Sequence, residues 1–94
     1  MQVDDVTTEL RRVIRRWQQL PAGRAHENAS LVRELAQDLA DRTRARQGLE
    51  ALAIPDVGDG ALADQLAVMV YDACRAGLDD EALRGLTRVR RSLP

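Results

Sequence analysis

The chain has 94 residues, of which 45% are apolar, 31% charged and only 2% aromatic, so it is long enough for one domain with one modest core and too short for two. Fourteen basic against fifteen acidic side chains give a formal charge of −1, which removes the bulk electrostatic support that a polycationic binder of phosphate or lipid would have. Phe is absent and Trp17 and Tyr71 are the sole aromatics, a composition that disfavours a strand-rich core and sets the expected fold class as all-α.

At about 100° per residue, Val6, Leu10, Val13, Ile14, Trp17 and Leu20 fall on one side of a helix, with Arg11, Arg12, Arg15 and Arg16 on the other. This predicts a first helix over about 5–20, capped by Asp4, Asp5 or Thr7 and stopped by Pro21 and Gly23. A second apolar stripe runs through Leu31, Val32, Leu35, Ala36 and Leu39, with Ala25 and Ala29 on the same side. It predicts a helix over about 25–47 whose stripe continues beyond Asp41 through Arg42 and Arg46, which either snorkel at the end of the bundle or mark where packing stops and the helix frays before Gly48, and the segment 22–28 admits a short helix of its own.

Residues 48–60, GLEALAIPDVGDG, combine Leu49, Leu52, Ile54 and Val57 with Pro55 and three glycines. We read them as a connector docked on the bundle through its apolar residues, with room for one helical turn at 49–53. A third main helix, about 60–76, capped near Asp59 and ended by Gly77, places Leu62, Leu66, Met69, Val70, Ala73 and Cys74 inward. Gly77 suits a left-handed C-terminal cap and Asp79 an N-cap, so Leu78 serves both ends of a tight turn into a fourth main helix, about 80–93. That last helix turns Ala82, Leu83, Leu86, Val89 and Leu93 inward, with acids in its first turn and arginines in its last.

Metal binding lacks a donor set, because His26, Glu27 and the single Cys74 do not make a site at helical spacing. The run Asp56-Val57-Gly58-Asp59-Gly60 lacks the oxygen ligands of a calcium loop at its third and fifth positions and has Ala67 where the closing Glu belongs. Cys74 falls on the core side of its helix, away from any assured base, and no Walker or GxGxxG loop is present, so neither a catalytic residue nor a bound cofactor is expected, and the chain is read as not an enzyme. Arginines occupy the first 20 residues where a signal peptide needs an apolar run, and no window reaches the ~18–20 apolar residues of a membrane span. We therefore expect a cytoplasmic protein with no membrane partner.

Charge is unevenly spread. Residues 1–47 hold nine Arg against seven acids, 48–82 one Arg against eight, and 83–94 four Arg and no acid. A basic strip on the first helix (Arg11, Arg12, Arg15, Arg16) and an acidic, partly apolar one on the third (Asp64, Val68, Tyr71, Asp72) are arranged as a head-to-tail contact between copies would use them. The competing readings are that these charges are solvated or neutralise one another within one bundle, and that the connector covers Val68 and Tyr71. The spacing of Ala73, Gly77, Leu78, Leu83 and Leu86 also fits a helix-turn-helix over 69–91, with Arg84, Arg88 and Arg91 as DNA contacts. Its second helix opens on Asp79-Asp80-Glu81, where phosphates would approach, so nucleic acid is the disfavoured partner.

The order Leu20-Pro21 with Arg24, then Leu31-Val32, a Pro-containing loop, Val70-Tyr71-Asp72-Ala73-Cys74, and Gly77-Leu78 with Leu83 and Leu86 resembles the small effector-associated domains of actinobacteria, members of the bacterial Death-like group. The resemblance spans roughly residues 5–93. It implies a bundle of five or six helices, with short ones near 22–28 and 49–53. It also implies an adaptor that pairs with related domains in bacterial signalling or defence, domains that are often fused to protease or ATPase effectors. With no effector after Pro94, such an adaptor would be stand-alone or excised from a longer chain.

Overall fold

The computed structural model describes residues 3–94, and its helices are α1 (Val3–Gln19), α2 (Ala22–Glu27), α3 (Ala29–Arg46), α4 (Leu62–Arg75) and α5 (Asp79–Ser92). A 3₁₀ turn, Asp59–Ala61, leads into α4, and no strand occurs among the described residues. The fold is therefore a small all-α bundle with four main helices and one short one. None of these helices is long and apolar enough to cross a membrane.

The apolar stripes read from the sequence are the ones that close the core. Val6, Val13 and Trp17 from α1, Val32, Leu35, Ala36 and Leu39 from α3, Leu62, Leu66, Val70 and Ala73 from α4, and Ala82, Leu86, Val89 and Leu93 around α5 form one buried cluster. Burying such branched side chains stabilises by roughly 1.5–3 kcal/mol apiece, which is why helices of modest propensity hold their places. α3 packs chiefly on α4 and α1 on α5, and the shortest principal extent, 17 Å, corresponds to two layers of helix. Gly85 allows α5 to approach α3: a methyl group placed there would lie 2.4 Å from Leu35 Cδ1.

The second predicted helix is two helices. Asn28, at φ −104° and ψ 6°, ends α2 and starts α3, and its side-chain amide donates to the Arg24 carbonyl at 2.8 Å. α3 does not fray. Gly48, at φ +74°, closes it with Leu49 N–H donating to Arg44 O at 2.8 Å, the same cap that Gly77 (φ +81°) gives α4 through Leu78 N–H and Ala73 O at 2.9 Å. The buried side of α3 continues through Ala40 and Thr43 instead of Arg42 and Arg46. Arg42 pairs with Asp38 at 2.9 Å, and Arg46 reaches across to the Ala76 carbonyl at 3.1 Å.

Several expected caps are absent. Asp5 and Thr7 lie inside α1, while the side chain of Asp4 is outside the described part. Leu78 occupies the N-cap of α5, accepting Ala82 N–H on its carbonyl at 3.0 Å, so Asp79 is the first helical residue and makes no side-chain cap. Asp59 likewise caps nothing, because its carboxylate turns to His26 and Arg33.

The connector is not helical at 49–53, and only Ile54 docks on the core; Leu49, Leu52 and Val57 remain exposed. Polar contacts hold it where apolar docking was expected. Gln37 accepts Ile54 N–H at 2.8 Å and donates to Leu52 O at 3.1 Å, Gln65 donates to Pro55 O at 2.8 Å, and Arg44 Nε donates to Glu50 O. With its backbone acceptors engaged this way, the segment lies extended over the surface instead of coiling.

Candidate functional site

α1 presents Arg11, Arg12, Arg15 and Arg16 to solvent because its opposite side is spent on Val6, Val13 and Trp17. Arg12, Arg15 and Arg16 line a shallow depression of about 380 Å³ together with Gln19 and Arg90, so α5 adds a guanidinium to the strip. Beneath it sits Glu9, only 5% exposed, which accepts hydrogen bonds from Thr87 Oγ1 and from Arg90 Nε at 2.8 Å and lies 3.7 Å from Arg12. Burial pushes this carboxyl up, but the hydrogen bonds from Thr87 and Arg90 and the charges of Arg90 and Arg12 outweigh it and hold it below the usual carboxylate range. An ionised Glu9 thus ties α1 to α5 and fixes two of the guanidiniums that face solvent.

On α4, Asp64, Val68, Tyr71 and Asp72 all fall on the exposed side. Val68 is 52% and Tyr71 60% exposed, so the connector does not cover them. Arg75 lies over the Tyr71 ring with its guanidinium carbon 5.7 Å from the centroid, which stiffens the aromatic without hiding it. The two strips do not neutralise each other: among the described residues, no ion pair joins an arginine of α1 to an acid of the connector or α4.

The three arginines of the helix-turn-helix reading are all exposed but differently placed. Arg84 lies 3.6 Å from Glu81, and Arg88 shares a small depression between α3 and α5 with Glu34 and Asp38. Carboxylates therefore accompany both side chains on the face that a phosphate would have to approach.

His26 is a surface residue, with Nδ1 2.8 Å from Asp59 Oδ2, and Arg33 lies 3.5 Å from both Asp56 and Asp59. This cluster joins α2, α3 and the start of the 3₁₀ turn. The His26 hydrogen bond, opposed by burial and assisted by the charges of His26 and Arg33, lowers the Asp59 carboxyl. Cys74 is half-buried, and burial with the nearby Asp79 charge pushes its thiol up, away from nucleophilic character. No group of three or more metal-type ligands occurs among the described residues.

No family model, curated protein or solved structure matches this chain.

Two features escaped the sequence reading. Glu9 falls between Val6 and Val13 at helical spacing, so the apolar stripe itself marked it as an inward acid in need of partners. The second feature is a groove of about 650 Å³ between the C-terminal half of α3, the connector and α4. Nothing in the periodicity announces it, because it exists only through where the connector is pinned.

Proposed function

We propose that this domain is a non-enzymatic protein–protein interaction module, in which the basic strip of α1 on one copy meets the acidic, apolar-centred strip of α4 on another copy or on a related helical domain. The observation that carries the reading is the coexistence of two exposed strips of opposite charge with no ion pair between them. Each is thus free to seek its complement outside the domain. Val68 and Tyr71, ringed by Asp64, Asp72 and Arg75, supply an apolar centre with a charged rim, the usual anatomy of a contact that excludes water. The resemblance to Death-like adaptors points the same way and suggests a role in bacterial signalling or defence inside the cytoplasm. A DNA-binding role for residues 69–91 is less well supported, given Asp79, Asp80 and Glu81 in the first turn of α5 and the carboxylates beside Arg84 and Arg88.

Because donor and acceptor strips differ, the contact is heterologous and each copy has one of each. Arg15→Glu/Arg16→Glu destroys one strip and Asp64→Asn/Asp72→Asn the other, the second by neutralisation so that no charge-swapped contact is created; Arg12 is left alone because it neighbours Glu9. Each variant alone is expected to be monomeric in sedimentation velocity. An equimolar mixture should give a 1:1 dimer that grows no further, since each partner retains one working strip. A mixture that stays monomeric while the unaltered chain associates would refute the pairing.

A further inference from the structure

We infer that the groove between α3, the connector and α4 is a binding site for an amphipathic organic anion, a small carboxylate with an apolar body. Its volume of about 650 Å³ lies in the range of small-molecule sites. Leu52, Ile54 and Met69 give it an apolar lining, and Leu52, 64% exposed, is open to contact by a ligand.

The charge of the groove selects the ligand. Of its four charged side chains, three are the guanidiniums of Arg44, Arg46 and Arg75 and one is the carboxylate of Asp72. None of the three arginines has a carboxylate within ion-pair distance among the described residues. They are nevertheless held in place: Arg44 by the Glu50 carbonyl, Arg46 by the Ala76 carbonyl, Arg75 by the Tyr71 ring. Guanidiniums fixed through neutral partners keep donors free for a carboxylate and lose little entropy on binding it.

A second, independent observation lies in the groove wall. Thr43 is only 6% exposed and lines the groove, and its hydroxyl has no hydrogen-bond partner. Buried hydroxyls are nearly always paired, so an unpaired one in the wall leaves hydrogen-bonding capacity unused beside the groove.

The groove shares Asp72 and Arg75 with the α4 strip proposed above, and the test is therefore run on the Arg15→Glu/Arg16→Glu chain, in which no second copy can seat on that strip, as well as on the unaltered one. The probe is decanoate, followed through amide chemical shifts, with decylamine as the isosteric cation. Saturable shifts confined to residues 43–47, 52–55 and 69–76 are expected in both chains. Decylamine should bind about tenfold or more weakly, and Arg44→Gln/Arg75→Gln should weaken decanoate by a similar factor, as expected for losing charge-assisted hydrogen bonds. Arg88→Gln, on another face, should leave binding unchanged, and a thermal melt of each variant verifies that it is folded. Equal affinity for decanoate and decylamine, shifts spread over the whole domain, or full binding by the folded Arg44→Gln/Arg75→Gln chain would overturn the assignment.

Discussion

Replacing Glu9 by Gln keeps the shape of a buried side chain and removes the charge that joins α1 to α5. In the native domain its carboxylate accepts from Thr87 and from Arg90 Nε at 2.8 Å, with Arg12 3.7 Å away. A hydrogen bond to a charged group is worth about 1.5–3 kcal/mol, but Arg90 is a third exposed and solvent screens part of its share. Gln retains one acceptor and sets an amide N–H₂ against donors, so a net loss of about 2–3 kcal/mol is expected. For a domain of this size that lowers Tm by roughly 10–15 °C. The pH dependence gives a second handle. The Glu9 carboxyl lies below its ordinary value when folded, so its contribution is fully present above the unfolded pKa, near 4.5, and is lost as pH falls through the lower, folded value. The stability gap between native and Glu9→Gln chains, measured by urea unfolding, should therefore be constant from about pH 6 to 8 and close progressively below about pH 4.5. A gap that is absent at neutral pH, or that persists unchanged in acid, would refute the reasoning.

Three further outcomes follow from the packing. Gly85→Ala gains about 1 kcal/mol of helix propensity, but its methyl meets buried Leu35, so it should destabilise by about 1–2 kcal/mol net, and in a Leu35→Ala background the same change should become stabilising; chemical denaturation of the double-mutant cycle measures the sign change. Thr43→Val removes an unpaired buried hydroxyl at constant shape and should raise stability by about 1 kcal/mol, read from the same unfolding curves. Gln37→Ala cuts the bonds to Ile54 N–H and Leu52 O, so amide hydrogen exchange and proteolysis should accelerate at residues 49–57 while the helices keep their protection.

The helices were legible because each apolar stripe has somewhere to go: Val6, Val13 and Trp17, or Leu62, Leu66 and Val70, repeat at the helical period and end at a glycine or proline. Gly77 was readable as a cap for the same reason, since only a left-handed residue fits there. What periodicity could not supply was the connector. Leu49, Leu52, Ile54 and Val57 look like docking residues, yet the segment is positioned by Gln37, Gln65 and Arg44, polar groups with no sequence signature for a partner 6–17 residues away. The caps failed for a related reason, because an Asp can serve its own helix or a distant cation, and Asp59 serves His26 and Arg33. Of the proposed interaction surface, both strips were readable as helix faces, but the contribution of Arg90 was not, because it depends on α5 lying against α1 with Glu9 between them.

The most direct measurement of the central claim is sedimentation velocity of the unaltered chain across protein concentration at low and high salt. Pairing of the α1 strip with the α4 strip predicts dimers and larger species that grow with concentration at low salt and dissolve as salt screens the contact. A strict monomer at every concentration in low salt, or association that salt leaves untouched, would contradict pairing between copies of this chain.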